Sequence, residues 1–459
     1  TTHTPVPAGH DHFADSVVLP YLKPLFDAHA PALARPPGCG EFNMTALAIR
    51  GSRFHNGVSR IHGGVSQEML KDYWPQVEPQ ENPLGYVTNG VHVPTFLAPE
   101  WCVVLERYLG VGWVHRLGHP GIWEKIRDIP DHIFWSVRQD IKARMLHMVR
   151  HRLEVQHRRN HGSESHLGRL LRLVDPANPN VLTVGFGRRF ATYKRATLLF
   201  NDLDTLRRLL ADRERPVVFL FAGKAHPADE PGQDLIRGLA HMARQEEFEG
   251  RILFIEGYDL HIARRLVSGV DVWLNNPVHP LEASGTSGMK AGMNGVINLS
   301  ILDGWWDEGY DGENGWAIKP ASGLDPHRRD REEARTLYEL LQDRVVPLYY
   351  SRTNGATGAY SPQWLQIAKR SMATLLPRYD ASRMLGEYVS KYYIPASRQG
   401  HRYHQSGYDA AKNVAAWKHR IRAAWRGVSA RRLDSPKPRI QFGETFPVEV
   451  AVKLNGLAP

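Results

Sequence analysis

From Asn180 onward the chain alternates between short apolar runs and longer mixed stretches. VLTVGFG (181–187), PVVFLFAG (216–223), RILFIEG (251–257) and VDVWLNN (270–276) are continuously apolar, the pattern of strands buried on both faces. Each is followed by helical or turn sequence, and after the first, RRFATYKRATLLFNDLDTLRRLL predicts a turn running into a helix. Strands alternating with helices predict an α/β fold whose parallel sheet is covered on both faces, with ligands held at the carboxyl ends of the strands. Upstream, apolar Phe134, Val137, Ile141, Met145 and Met148 recur at helical spacing and predict one long helix over 130–159. Residues 327–426 read as predominantly helical. Beyond the basic stretch SARRLDSPKPR, read as a linker, the tail PRIQFGETFPVEVAVKLNGL alternates like a strand.

One stretch breaks this rhythm with chemistry. Glu282-Ala283-Ser284-Gly285-Thr286-Ser287-Gly288-Met289-Lys290 crowds small hydroxyl and glycine residues into a turn, followed by AGMNGVINLSILDG, an apolar and helix-competent run. Such a turn at a helix start aims free backbone N–H groups and a positive dipole end at one spot, which suits a phosphate. Lys290 follows Thr286 by four residues, about one helical turn, so its amine can reach a group held there. A phosphate anchor with a nearby lysine amine is what pyridoxal phosphate requires. On spacing alone, a helix-capping turn with a surface lysine is the commoner reading of such a segment.

A second cluster follows the first predicted strand. Arg188, Arg189 and Lys194 gather just past its carboxyl end, where arginine forks and a lysine point charge would concentrate dianions. The same residues would also make an ordinary basic surface turn. Gly185 and Gly187 are only a fragment of a dinucleotide fingerprint. His3, His10 and His12 lie in a Pro/Gly-punctuated opening loop, a weak metal signal, and no metal site is assigned. Thr88-Asn89-Gly90 reads as a turn or hinge.

Charge adds one constraint. Lys and Arg outnumber Asp and Glu by 58 to 48, a formal net charge of +10, which fits nucleic acid or phosphorylated small ligands. Arg150, His151, Arg152, His157, Arg158 and Arg159 form the most basic stretch, but no recognition motif accompanies them, so they read as a solvated face. Cys39 and Cys102 are too few for a disulfide framework or a zinc site and suit a reducing cytoplasm. No apolar run reaches membrane-spanning length.

EASGTSGMKAGMNG, followed by LDGWWDEG, resembles the pyridoxal-phosphate lysine segment of the α-glucan phosphorylases, the glycogen, starch and maltodextrin phosphorylases. GRRFATYKR is similar to their phosphate-binding segment. THTPVPAG, FNMTALAIRGSRFHNGVSRIHG, the TNG turn, GKAHP and EGYD are similar to further family segments, in one order from the amino terminus to about Trp425. Phe96 stands where many relatives carry tryptophan.

The resemblance implies two Rossmann-like domains of the GT-B glycosyltransferase type. It implies the end of the first domain over 1–88, the cofactor- and phosphate-binding domain over 89–426, and a linker with the start of a β element over 427–459. The chain is accordingly expected to be a carboxyl-terminal fragment. The implied reaction is retaining phosphorolysis of a terminal α-1,4-linked glucose of glycogen or maltodextrin by orthophosphate, giving glucose 1-phosphate. By resemblance, Lys290, Arg188, Gly285, Thr286 and Tyr258 bind the cofactor. Arg189, Lys194 and His3 are catalytic, with Arg189 and Lys194 on the substrate phosphate and His3 on the reacting glucose. Asn89, Tyr193, Glu282, Ala283, Ser284 and Gly285 bind substrate. No nucleic acid or membrane is expected as partner, and homo-oligomerisation is left open. Two alternatives stay in play: a sugar-nucleotide-dependent glucan glycosyltransferase of the same fold, which needs no Lys290, and a non-catalytic glucan-binding protein.

Overall fold

The computed structural model describes residues 1–6, 9–22, 33–352, 360–435, 437 and 439–457. The chain divides into two compact units, Thr1–Tyr388 and Val389–Pro459.

The first unit is built on six strands: β1 (Leu182–Gly187), β2 (Val217–Ala222), β3 (Ile252–Ile255), β4 (Val272–Asn275), β5 (Ile297–Ile301) and β6 (Gly315–Ile318). All pair in parallel, in the spatial order β6-β5-β4-β1-β2-β3. The strand order reverses between β1 and β4, so the segments leaving their carboxyl ends diverge and open a crevice, the usual ligand position in such sheets.

Every residue of β1 and β2 is buried, which is why the sequence reads as unbroken apolar runs. Successive side chains point to opposite faces. Val217, Phe219 and Phe221 join one core cluster; Val218, Leu220 and Ala222 join the other. Around the sheet lie α1 (Asp131–Arg159), α2 (Leu203–Ala211), α3 (Glu230–Ala243), α4 (Leu260–Gly269), α5 (Thr286–Gly292), α6 (Pro326–Leu340) and α7 (Pro362–Arg378). Met145, Leu146 and Val149 of α1, with Ile262 and Leu266 of α4, fill one face; Leu206, Leu239, Leu337 and Leu365 help fill the other. None of the helices among the described residues is long and apolar enough to cross a membrane.

The turn expected after β1 is long: residues 188–202 form a loop with two short 3-10 turns, and the helix it runs into begins at Leu203. Arg195 there takes a left-handed backbone (φ 48°) and donates to the Asn276 and Pro277 carbonyls, which pulls the chain out of a helical path. The run after Lys290 does not continue as a helix: α5 ends at Gly292, and Ile297–Ile301 becomes β5, captured between β4 and β6. SARR, expected as linker, is a strand (Ser429–Arg432) paired antiparallel with Val450–Lys453 in the second unit.

Ahead of α1 lie two small ladders, His12–Phe13 with Phe42–Asn43 and His55–Gly57 with Leu84–Tyr86. Two of the opening-loop histidines pair with the segment after Phe42: His10 with the Thr45 hydroxyl at 2.8 Å, His12 with the Asn43 amide at 3.0 Å. The basic end of α1 is largely tied back to the fold. Arg150 donates to the Leu171 carbonyl at 3.0 Å, Arg152 pairs with Asp259 at 3.2 Å, and Arg159 pairs with Glu256.

One buried ion pair ties α1 to the sheet. Lys142 Nζ meets Asp271 Oδ2 at 2.5 Å, with the Val181 carbonyl and the Tyr349 hydroxyl completing its shell, while Asp271 also accepts from the Thr183 amide and hydroxyl. Burial pulls the Lys142 amine down to about 8, against the pull of Asp271. Removing one partner of a buried pair strands the other charge, which costs about 3–5 kcal/mol. Lys142→Met is therefore expected to lower unfolding free energy by about 3 kcal/mol in urea titrations; a change under about 1 kcal/mol would show that the pair contributes no more than a surface bridge.

Candidate active site

The crevice at the β1–β4 reversal holds a cavity of about 420 Å³. Its walls come from four parts of the chain. The loop after β1 supplies Arg188, Arg189, Tyr193 and Lys194; the loop after β4 supplies Leu281 to Ser287; the segments ahead of α1 supply His3, Thr4, Val58 and Asn89, and Tyr258 follows β3. The structure thus gathers His3, Asn89, Arg188, Arg189, Tyr193, Lys194, Tyr258, Glu282, Ala283, Ser284, Gly285 and Thr286 on one cavity, although they are spread over most of the first unit. Lys290 alone of the expected set does not line it.

Charge in this cavity is unbalanced. Glu282 is buried and takes Arg188 Nη1 at 3.0 Å and Lys194 Nζ at 2.5 Å on the same Oε2. Burial would raise its carboxyl, but the two cations prevail and hold it below the usual carboxylate range. Lys194 moves the other way: burial and the neighbouring Arg188 draw its amine down to about 8, against Glu282. One carboxylate facing Arg188, Arg189 and Lys194 leaves an excess of positive charge, and Arg188 Nε is buried with no hydrogen-bond partner among the described residues. An anion would satisfy both conditions.

The turn after Glu282 is held from behind. Asp303 is fully buried and accepts from the Glu282 amide (3.0 Å) and the Gly304 amide (2.7 Å); burial pushes its carboxyl up to about 7. Trp305 donates its amide to the Ser284 carbonyl at 2.9 Å. At Gly288 an added Cβ would lie 2.8 Å from the Trp305 ring and 2.6 Å from Asn298 Oδ1, so glycine is needed for that close approach. Gly285, at φ 86°, makes the left-handed corner before α5. Ser287 Oγ accepts from Arg188 Nη2 and Trp273 Nε1, both at 3.2 Å, whereas the Ser284 hydroxyl is buried and unpartnered among the described residues.

Lys290 lies one turn into α5. Its Nζ sits 4.0 Å from the centre of the Phe96 ring, and burial lowers its amine below the ordinary lysine range. No carboxylate pairs with it among the described residues. A desolvated, unpaired lysine beside an anion-hungry turn with two orphaned polar groups fits a cofactor carrying both a phosphate and an aldehyde. Tyr258 is half-buried and His3 exposed at the edge of the cavity; partial burial draws the His3 imidazole below its ordinary range and the Tyr258 hydroxyl above its own.

Sequence reasoning passed over Val58, Leu281 and Asp303. Val58 and Leu281 carry no chemical signal, and Asp303 acts through backbone amides, which no spacing reveals.

A family model described as carbohydrate phosphorylase matches residues 36–306. The glycogen phosphorylase of Mycobacterium tuberculosis is 40% identical over 477 aligned residues, spanning 100% of this chain and 54% of the relative. The maltodextrin phosphorylase of Thermococcus litoralis is 39% identical over 465 residues, spanning 100% of this chain and 53% of its own. The glycogen phosphorylase of Aquifex aeolicus is 42% identical over 352 residues, 77% of this chain and 49% of its own. The chain therefore spans about half the length of these relatives. That coverage and the doubly wound parallel sheet fit the GT-B type fold expected from the sequence.

Proposed function

The chain belongs to the carbohydrate phosphorylase family, and from that premise we propose that the protein containing it is an α-1,4-glucan phosphorylase, a hexosyltransferase that releases the terminal glucose of glycogen or maltodextrin as glucose 1-phosphate. The observation that carries this reading is the pairing of Arg188 and Lys194 with one buried carboxylate, Glu282, in a cavity that Arg189 also lines, with Lys290 one helical turn into α5.

Arg188, Gly285 and Thr286 are assigned to the phosphate of pyridoxal phosphate, Tyr258 to its flank and Lys290 to its covalent attachment. When bound, the cofactor supplies a second phosphate beside the substrate phosphate and does not serve as an electron sink. Two dianions at contact repel strongly, and Arg188, Arg189 and Lys194 offset that repulsion in a site where solvent screens little. Arg189 and Lys194 hold orthophosphate so that it can deliver its proton to the leaving glycosidic oxygen. Glu282, Ala283, Ser284, Asn89, Tyr193 and His3 take the glucose hydroxyls and orient the sugar; such positioning supplies much of the rate. Only two cysteines occur and both are unpaired, in keeping with a reducing cytoplasm.

The full-length protein, given maltodextrin and phosphate, is expected to form glucose 1-phosphate at about 1–1,000 per second, the ordinary range for enzymes. Glucan extension from a sugar nucleotide, with no phosphorolysis, would instead establish the glycosyltransferase alternative.

A further inference from the structure

The acidic-aromatic stretch after Gly304 has no part in the chemistry assigned above, yet it links segments that belong to two walls of the cavity. At one end Trp305 is locked to the phosphate-binding turn through the Ser284 carbonyl and its close packing on Gly288. At the other end, three residues on, Glu308 accepts the Thr88 hydroxyl on both carboxylate oxygens (2.8 and 3.0 Å) and the Arg60 amide at 2.9 Å. Its neighbour Asp307 takes the Arg60 guanidinium at 2.7 Å. The residues gripped in this way are separated from Glu308 by more than two hundred positions in sequence.

What they hold is the opposite wall. Thr88 is buried and directly precedes Asn89, whose amide donates to the Val58 carbonyl at 3.0 Å; Asn89 and Val58 both line the cavity. The Glu308 amide in turn donates to the Trp305 carbonyl at 3.1 Å, so the strut is one helical turn long and internally bonded. A carboxylate accepting from two donors, the Thr88 hydroxyl and the Arg60 amide, on two segments of one wall, and mounted on a turn packed into the other, fixes the spacing between them.

We propose that Glu308, through the Thr88 hydroxyl and the Arg60 amide, is the positioning residue that sets the distance of Asn89 from the Ser284–Gly288 turn, and thereby the affinity for the sugar held between them. The inference rests on the phosphorylase reading for the identity of that sugar, a terminal glucose of an α-1,4-glucan. Glu308 touches neither the sugar nor the phosphate. Its loss should loosen one wall and leave the cation cluster and Lys290 as they are.

The test uses the full-length protein. Glu308→Ala is expected to raise KM for maltodextrin about tenfold, the worth of one charge-assisted hydrogen bond, while KM for phosphate and cofactor absorbance stay at parent values. Thr88→Val, which removes only the hydroxyl, should reproduce most of the effect. The double variant should be little worse than Glu308→Ala, because the two groups act as a single unit. Glu308→Gln keeps one acceptor and should recover part of the loss. Unchanged maltodextrin KM in Thr88→Val overturns the proposal even if Glu308→Ala fails to fold. Equal losses in maltodextrin KM, phosphate KM and cofactor content would also overturn it, since that is general loosening. Absence of phosphorolysis in the parent protein would instead defeat the functional reading, and direct titration with maltodextrin would still measure the strut.

Discussion

Lys290→Ala in the full-length protein is expected to remove pyridoxal phosphate retention and to lower phosphorolysis on the order of a thousandfold or more, as happens when a group on which others depend is deleted. The expectation comes from the surroundings of the amine. It rests over the Phe96 ring, burial lowers its affinity for a proton, and no carboxylate among the described residues competes for it. A lysine desolvated in this way is available as a nucleophile nearer neutral pH than an exposed one. A purely structural lysine in so apolar a place would have been paired, as Lys142 is with Asp271. Borohydride reduction of the parent protein followed by peptide mapping should place the cofactor label on Lys290. A label on another lysine, with Lys290→Ala still holding cofactor, would show that α5 carries only a cap. Phe96→Ala offers a finer reading of the same environment: retention of the label with weaker cofactor binding is the result expected if the ring only walls the site.

How much of this could be read along the chain depends on whether the signal is local. Residues 217–222 announce a strand because burial on both faces makes every position apolar, and 131–159 announce a helix through their spacing. The cation trio is legible for the same reason: Arg188, Arg189 and Lys194 leave the end of one strand together. The run through β5 was not legible. Its few apolar residues suit helix and strand alike, and only its capture between β4 and β6 decides the matter. Residues 188–202 announce a turn but not its length, because Leu198 and Leu199 are buried in a loop whose path is fixed by Arg195 bonding to carbonyls about eighty positions away. The strongest interactions of the site are equally remote in sequence: Glu282 with Arg188 and Lys194, Glu308 with Thr88, Phe96 with Lys290. Resemblance to a known family supplied the candidate members of the site. The ion pairing within it, and the strut behind it, came only from the fold.

Lys194→Ala is expected to lower phosphorolysis on the order of a hundredfold or more, the scale on which deleting a charge-assisted hydrogen bond acts in a dry site. Cofactor content should hardly change, because Arg188 and the turn before α5 remain. The change should fall on the use of phosphate, and pH should expose it. The Lys194 amine, held down to about 8 by burial and by Arg188, is charged below that pH and neutral above it. Phosphate is already dianionic there, so raising the pH through about 8 removes a cation from the site without adding charge to the substrate. KM for phosphate in the parent protein should therefore climb above about pH 8, though binding of the dianion itself will move the midpoint upward. Glu282 does not titrate in this window, since its carboxyl is held below the usual range. In Lys194→Ala the alkaline rise in KM should vanish along with the affinity. In Lys194→Arg it should also vanish, but because the charge can no longer be removed. A Lys194→Ala variant with parental phosphate KM and an unchanged alkaline limb would remove Lys194 from phosphate binding. Its pairing with Glu282 would then be a structural bridge, and the excess positive charge facing the cavity would rest on Arg188 and Arg189 alone.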